Sequence, residues 1–214
     1  TTLHHIDSVT GEQKLLASLP VVDALAVSEG GTLIVGRAWG EDSLRSIGLD
    51  IYSGTTGKKL STAKLSSSFA RTAAFSRDGR FLAAAGESLE KTESPPGGIL
   101  RVWSLPDEPE GLPERLPEVL AVDDLPESLQ EVAFSPDGKL LVVAGARTSI
   151  VWKTESWEKV ATLTGSSADW SPDGKLLVTG GGPDSPREAK VFDTSEFSEV
   201  CTLTLDGLIP QEFE

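Results

Sequence analysis

The sequence predicts an all-β fold built from repeated four-stranded antiparallel sheets. Three observations carry this prediction: a Ser-Pro-Asp-Gly type of turn recurs four times, each copy lies between two strand-like segments, and two more strand-like segments follow it. In the clearest copy, Val132 and Phe134 alternate with small or polar residues, which is typical of a half-buried strand. The run from Leu140 to Ala144 is apolar and β-branched, which favours a strand buried on both faces.

The turn between these two strands has a local physical explanation. Pro136 presets φ, the side chain of Asp137 can bond the backbone that follows it, and Gly138 can adopt the positive φ that closes a short hairpin. An aspartate in such a turn could also be a ligand. We interpret Asp137 as a structural residue, so the repeated turn predicts a joint between strands rather than a site.

The turn copies set the length of the repeat. The equivalent serines are Ser28, Ser76, Ser135 and Ser171, and their spacings bracket the ~40 to 45 residues of a four-stranded propeller blade. We therefore predict a single β-propeller segment over residues 1–214. Its units are a half blade at 1–19, four full blades at 21–65, 69–125, 129–164 and 167–206, and a tail at 207–214. Further chain or another copy is expected to complete the ring, because an open ring leaves sheet edges unpaired.

The third strand of each unit ends near an aromatic residue: Tyr52, Trp103, Trp152 and Phe192. With the repeated turn, this pattern resembles the WD-repeat β-propellers, particularly the bacterial style with Ser-Pro-Asp-Gly-Lys-Leu-Leu turns. No repeat contains the family's Gly-His pair, and only Phe192-Asp193 approaches its Trp-Asp dipeptide, so the family's buried Asp-His-Ser/Thr-Trp network is not carried over. Trp103 and Trp152 are expected to pack between blades.

Charge and hydropathy exclude several classes of function. The formal net charge is −14 with an isoelectric point near 4.6, which argues against a nucleic-acid surface because phosphate binding needs a basic stripe. No apolar run approaches the ~18 to 20 residues of a membrane helix. An acidic surface can attract basic partners. We expect a cytoplasmic protein. The sequence contains no methionine, even at position 1, so its start is expected to be incomplete, and a signal peptide is not excluded by this prediction.

The sequence offers little catalytic chemistry. His4 and His5 are adjacent on a predicted strand, so they point to opposite faces and cannot clamp one metal together; Asp123 and Asp124 fail the same test. Cys201, the only cysteine, is expected to be a buried strand thiol without a nearby base. We therefore expect no catalytic residue, no metal site and no cofactor. The glycines at 180–182 are interpreted as a strand end and loop, because no helix follows them.

Candidate binding residues come from the loops between second and third strands, which the resemblance places on the face most used for binding. These candidates are Arg37, Trp39, Glu41, Asp42, Glu87, Glu90, Lys91, Arg147, Asp184 and Arg187. Trp39 beside Arg37 could anchor a partner or cover a neighbouring strand. On the opposite face, the Pro/Glu-rich insertion Ser104–Glu118 is expected to be extended, solvated and partly disordered; it is a tolerated insertion or a docking strip.

These observations favour a non-enzymatic interaction scaffold whose loops bind a protein or peptide partner. One alternative is a propeller domain of a larger enzyme of hydrolase or dehydrogenase type. Another is a structural part of a split or processed larger protein. A fold shared by many functions does not choose among the three.

Overall fold

The computed structural model of the chain describes residues 2–6, 10–18, 24–29, 33–39, 46–65, 68–88, 97–107, 111–125, 127, 129–183 and 187–204. These residues form eighteen β-strands. Within these ranges, no helix is long and apolar enough to cross a bilayer. The predicted tail at 207–214 lies outside the described residues.

Four antiparallel four-stranded sheets, here called blades 1 to 4, follow one another along the chain. Blade 1 contains β3 (Ala24–Val27), β4 (Leu33–Trp39), β5 (Ser46–Ser53) and β6 (Lys59–Lys64). Blade 2 contains β7 (Ser68–Phe75), β8 (Phe81–Ser88), β9 (Gly98–Ser104) and β10 (Glu118–Leu125). Blade 3 contains β11 (Glu131–Phe134), β12 (Leu140–Ala144), β13 (Thr148–Lys153) and β14 (Lys159–Thr164). Blade 4 contains β15 (Ser167–Trp170), β16 (Leu176–Gly180), β17 (Glu188–Asp193) and β18 (Glu199–Thr204).

A separate two-stranded sheet precedes the blades. It pairs β1 (Thr2–Ile6) with β2 (Gln13–Ser18), so the predicted half unit and four full units are confirmed as sheets. His4 and His5 both lie on β1, where they pair with Leu15 and Lys14.

The core lies between consecutive blades. Trp103 belongs to a cluster shared by blades 1 and 2, Trp152 to one shared by blades 2 and 3, and Phe192 to one shared by blades 3 and 4. The prediction that Trp103 and Trp152 pack between blades is therefore confirmed. Both indoles are almost completely buried, and burial of this kind stabilises a fold by about 1.5–3 kcal/mol for each large side chain.

The repeated turn is built by one serine and one aspartate. In blade 3, the Ser135 hydroxyl donates to Asp137 Oδ1 at 2.7 Å and accepts the Leu140 N–H at 2.9 Å. Asp137 Oδ1 also accepts the Lys139 N–H at 3.1 Å, and Gly138 has a φ of 71°. The same hydroxyl contacts recur at Ser76 and Ser171. The structural interpretation of the Asp-Gly turn is confirmed.

In blades 3 and 4, the turn between the third and fourth strands is hydrogen-bonded to the turn between the first and second strands. The Thr154 hydroxyl, after β13, donates to the Gly138 carbonyl at 2.7 Å, and the Thr194 hydroxyl donates to the Gly174 carbonyl at 2.8 Å. Since the strands of each blade are antiparallel, both kinds of turn lie at one end of the sheets, here called the turn face. The connections between second and third strands and between blades lie at the other end, here called the loop face.

The insertion after β9 differs from its prediction. Leu116 is buried in the cluster between blades 1 and 2, and Leu112 packs against that cluster. The Ser61 hydroxyl of β6 donates to the Pro113 carbonyl at 2.6 Å. Arg115 forms an isolated parallel β-bridge with Thr62 of the same strand. The expectation of a solvated strip is therefore wrong for this part of the insertion, because two leucines anchor it. It covers the outer edge of blade 1.

The predicted burial of Cys201 is also wrong, because its thiol is exposed. Cys201 lies on β18, the outermost strand of blade 4, and every residue of that strand is exposed. The alternating pattern around Cys201 does predict a strand, but burial depends on a neighbouring sheet. None of the other described strands packs over this strand in the way that blade 2 covers blade 1.

Candidate binding face

The loop face carries a cavity of about 200 Å³ at the junction of blades 3 and 4. Its wall combines charged side chains, hydroxyl groups and glycine backbone, contributed by Arg147, Thr164, Gly165, Thr179, Gly180, Gly181, Gly182, Pro183, Glu188 and Lys190. Arg147 comes from the tight connection between β12 and β13. Glu188 and Lys190 come from the start of β17. The cavity therefore lies where two blades present their second-to-third strand connections side by side.

Two hydrogen bonds fix the backbone around this cavity, the first at the end of blade 3 and the second between blades 3 and 4. The Gly165 N–H donates to the Arg147 carbonyl at 2.8 Å, and the Thr179 hydroxyl donates to the Thr164 carbonyl at 2.7 Å. A Cβ on Gly165 would approach the Thr179 Cβ to 2.8 Å, a distance that real side chains do not adopt. Glycine at 165 is thus required for the two blades to meet this closely.

The glycines at 180–182 have the predicted role. Gly180 ends β16, and Gly181 and Gly182 follow with φ values of 66° and 130°, a region that favours glycine. The Gly181 N–H donates to the Glu188 carbonyl at 3.2 Å. The segment is a strand end and a short loop, as expected from the sequence.

The charges at the cavity are partly neutralised inside the chain. Lys190 Nζ lies 3.0 Å from Glu199 Oε2 of the neighbouring strand β18. A hydrogen bond from the Thr202 hydroxyl, together with Lys190, holds the pKa of Glu199 below its ordinary value. Within the described residues, no group of three or more His, Cys, Asp or Glu side chains could hold a metal ion. The cavity therefore presents Arg147 and Lys190 together with the carboxylate of Glu188, and its surroundings suit a polar group.

Two carboxylates that sequence reasoning missed connect neighbouring blades at the loop face. Glu127 Oε1 accepts the Thr148 hydroxyl at 2.6 Å and the Thr148 N–H at 2.8 Å. Glu131 Oε2 accepts the Ser167 hydroxyl at 2.9 Å and the Ala168 N–H at 3.0 Å. Each glutamate lies before or at the start of the first strand of blade 3, where no repeated motif marks it. Glu127 thus joins the segment between blades 2 and 3 to β13, and Glu131 joins blade 3 to blade 4.

The described candidate residues occupy different surroundings. Arg37 and Trp39 lie on β4, where they pair with Leu49 and Ser46; the prediction that they sit in a loop is wrong, because β4 continues to Trp39. Glu87 lies on β8. Its two carboxylate oxygens each accept a hydrogen bond of 3.0 Å from Arg71 Nη2. Arg147 lines the cavity, and Arg187 is exposed just before β17. Glu41, Asp42, Glu90, Lys91 and Asp184 lie outside the described residues.

Comparison with known proteins identifies one segment that is similar to a known repeat. A family model described as "WD domain, G-beta repeat" matches residues 157–185, which run from the turn before β14 through β16. Residues 157–185 are thus similar to a WD repeat, and the four sheets are the blades of a β-propeller. No curated protein matches the sequence of this propeller.

Among solved structures, a chain in the "Crystal Structure of Mitotic Checkpoint Complex" has a TM-score of 0.72 and 16% sequence identity to the propeller. The match covers 95% of the present chain and 58% of the other chain. The present propeller thus spans just over half the length of that chain. At this level of identity the likeness supports the fold.

Proposed function

We propose that this WD-repeat propeller is a non-enzymatic scaffold that binds a protein or peptide through its loop face. The observation that carries the proposal is the cavity of about 200 Å³ between blades 3 and 4. Its walls are held by hydrogen bonds at the end of blade 3 and between blades 3 and 4. A rigid site avoids the loss of conformational freedom that a mobile loop would undergo on binding.

The chemistry of the cavity indicates which part of a partner it holds. Arg147 and Lys190 supply cationic groups next to a glycine backbone that leaves room for a main chain. A carboxylate side chain or a chain terminus of the partner fits this arrangement. The net charge of −14 favours a partner that is basic overall, because long-range attraction depends on total charge and short-range recognition on local groups.

Affinity capture with two matched variants tests this proposal. The loop-face variant is Arg147→Ala with Arg187→Ala, and the control is Lys175→Ala on the turn face. We expect a specific partner that the wild-type chain and the control retain and that the loop-face variant loses. Equal recovery with all three chains, or no specific partner from the native source, would contradict a loop-face scaffold. Among the described residues, no contact in the cavity favours the enzymatic alternative. The cytoplasmic location stays a prediction.

We further propose that another blade covers the free face of blade 4, contributed by a second copy or by further chain. In blade 1, the equivalent positions Leu49 and Ile51 are fully buried against blade 2. Ala189 and Val191 of blade 4 are only partly buried, and Leu203 on β18 is 55% exposed. These apolar side chains occupy a face that every earlier blade uses for packing.

Light scattering distinguishes the two sources of that blade. If a second copy supplies it, the 214-residue chain is a dimer and Leu203→Lys is a monomer. If further chain supplies it, both proteins are monomers. A stable wild-type monomer therefore contradicts pairing between copies, and a Leu203→Lys protein that remains dimeric places the contact elsewhere.

A further inference from the structure

The free face of blade 4 carries the same apolar residues as the face of blade 3 that blade 4 covers. Four side chains of blade 3 pack in the cluster between these two blades. The strand registers place an identical residue at each equivalent position of blade 4. The pairs are Leu140 and Leu176, Val142 and Val178, Val151 and Val191, and Leu163 and Leu203. Because the two faces match at these positions, a sheet with the side chains of blade 4 suits both.

The equivalent residues differ in exposure because only the face of blade 3 is covered. Leu163 is 9% exposed beside blade 4, whereas its equivalent Leu203 is 55% exposed. Val151 is fully buried, whereas Val191 is only half-buried. Among the described residues, no sheet packs over the outer strand of blade 4. The free face therefore continues the series of interfaces between the blades, with the covering sheet still to be supplied.

In blades 1 to 3, the first residue of the second strand is covered by a side chain of the next blade. These first residues are Leu33, Phe81 and Leu140. The covering side chains come from the segment between the third and fourth strands of the next blade, and they are Leu116, Trp157 and Phe197, respectively. The contact between the Trp157 and Phe81 rings is edge-on, with centroids 5.1 Å apart. The interface thus has a second, recurring component at the turn face.

The backbone of the turn shows that the covering side chain is selected for its contact. Trp157 and Phe197 have φ values of 56° and 54°, and the equivalent residues of blade 1 and of the β1–β2 sheet are Gly57 and Gly11. A large side chain at positive φ is strained unless its packing compensates. Among the described residues, the sheet before blade 1 has no second strand to cover. The turn therefore carries a large side chain where the preceding blade presents an apolar residue, and glycine elsewhere.

A second copy of the described chain offers no free side chain of this kind to blade 4. Leu176 begins the second strand of blade 4 and is 38% exposed. The turns at Gly11 and Gly57 have no side chain to place over it. The apolar covering side chains already pack on the blades that precede them in their own copy. The sheet that covers Leu176 must therefore bring its own turn residue.

We propose that the free face of blade 4 binds a further blade that resembles blade 4 and carries an aromatic or leucine side chain in the turn before its fourth strand. This inference rests on the proposed covering of blade 4 and names the covering element. The turn side chain packs on Leu176, and the sheet packs on Val191 and Leu203. The β1–β2 sheet, from the same chain or from a second copy, is not that element, because its turn residue is Gly11.

An extended protein with one added blade tests the proposal. Residues 165–204 are inserted a second time after Thr204, and Cys201 of the added blade is replaced by serine. Cys201 of the original blade 4 pairs with Val191 on the free face and is exposed, so its reaction with Ellman's reagent reports whether that face is covered. We expect this thiol to react roughly tenfold or more slowly in the extended protein than in the 214-residue chain, because a covered thiol reacts only when the interface opens.

Substitutions in the added blade test the turn side chain. Phe197→Gly in that blade should speed the reaction of Cys201 severalfold, and the matched control Phe197→Leu should keep the protection. The effect of Phe197→Gly should disappear when Leu176→Ala removes the residue that the side chain covers. An effect of the same size in both backgrounds would show that the side chain acts only within its own blade, and would overturn the inference.

The remaining outcomes separate this inference from the covering of blade 4. If Cys201 reacts equally fast in the extended protein and in the 214-residue chain, a further blade does not cover this face, and both proposals fail. If the added blade protects Cys201 and Phe197→Gly changes nothing, the covering stands and the role of the turn side chain is wrong. Protection that grows with the concentration of the 214-residue chain would identify a second copy as the occupant and overturn the inference.

Discussion

The indole of Trp157 meets the ring of Phe81 edge-on, with centroids 5.1 Å apart and an interplanar angle of 86°. This contact joins blade 3 to blade 2, although the Trp157 backbone has a φ of 56°. The equivalent position of the two-stranded sheet is Gly11, with a φ of 72°. At this turn, blade 3 combines a left-handed backbone with an aromatic contact that glycine cannot make.

Substitutions at Trp157 should separate the contact from the backbone strain. Both Trp157→Ala and Trp157→Gly lose the aromatic packing, which we expect to cost about 2–4 kcal/mol in free energy of unfolding. Trp157→Gly should nevertheless be more stable than Trp157→Ala by about 1 kcal/mol, because glycine adopts positive φ without steric strain. Urea unfolding measures both values. An alanine variant more stable than the glycine variant, as in an ordinary strand, would show that the backbone is not strained.

The serine of the repeated turn should matter most where it is buried. Ser135 is 1% exposed, so Ser135→Ala leaves the Leu140 N–H without its partner in a place that water reaches poorly. We expect a loss of about 1–3 kcal/mol in free energy of unfolding. Ser171 makes the same two hydrogen bonds with its side chain more accessible, and Ser171→Ala should cost less. Equal losses in chemical denaturation would contradict this dependence on burial.

The turn pattern predicted most of the fold because its determinants are local. Ser135, Asp137 and Gly138 close the hairpin through contacts within five residues of one another, so the sequence is enough to place the strands on either side. Repetition then extended that local result to four blades. Strand ends were harder to place, because β4 continues to Trp39 through pairing with β5.

The errors arose where the outcome depends on distant residues. Cys201 has the pattern of a buried strand, but its exposure depends on whether another sheet packs on β18. Ser61 bonds a carbonyl 52 residues away, and Glu127 binds Thr148 from the linker between two blades. The loop-face cavity could be located only in part, since Arg147 was predicted but Lys190 and Glu188 were not. Single-sequence patterns do not specify such contacts between blades.

The insertion before β10 should stabilise blade 1 through Leu116. This side chain is 3% exposed and packs in the cluster between blades 1 and 2, so Leu116→Ala should lower the free energy of unfolding by about 2–5 kcal/mol. Loss of the anchor should also uncover the outer edge of blade 1 and increase aggregation, because exposed edges pair with other chains. Glu114→Ala is the control, since the Glu114 side chain is exposed. A Leu116→Ala protein as stable as this control would mean that the insertion does not support the fold.

The aspartates of the repeated turns should make the fold sensitive to acid. Burial alone would raise the pKa of Asp137, but hydrogen bonds from Ser135 and Lys139 and the Lys139 charge outweigh it and lower the pKa below its ordinary value of 3.8. A lowered pKa in the folded state stabilises the fold above about pH 4, and this stabilisation is lost as the pH falls further. Asp137→Asn should therefore flatten the decline in unfolding midpoint between about pH 4 and pH 2. An unchanged acid profile in this variant would show that the turn charge does not contribute.

Tyr52 should report the alkaline limit of the same fold. Burial, followed by the charge of Asp50 and the hydrogen bond to it, raises the pKa of Tyr52 from 10.0 to about 12; the hydroxyl donates to Asp50 Oδ2 at 3.3 Å. Because the pKa is raised in the folded state, the neutral phenol contributes stability below about pH 10, and this contribution is lost as the pH rises towards about 12.

The titration of Tyr52 can be measured directly, since it is the only tyrosine in the chain. We expect the near-ultraviolet absorbance of the phenolate to titrate near pH 12 in the folded protein and near its ordinary value in urea. Asp50→Asn should lower the folded midpoint by removing a negative charge beside the phenol. Tyr52→Phe should remove the phenolate signal and weaken the alkaline loss of stability. A folded protein whose phenolate titrates at the same pH as in urea would show that neither burial nor Asp50 acts on this hydroxyl.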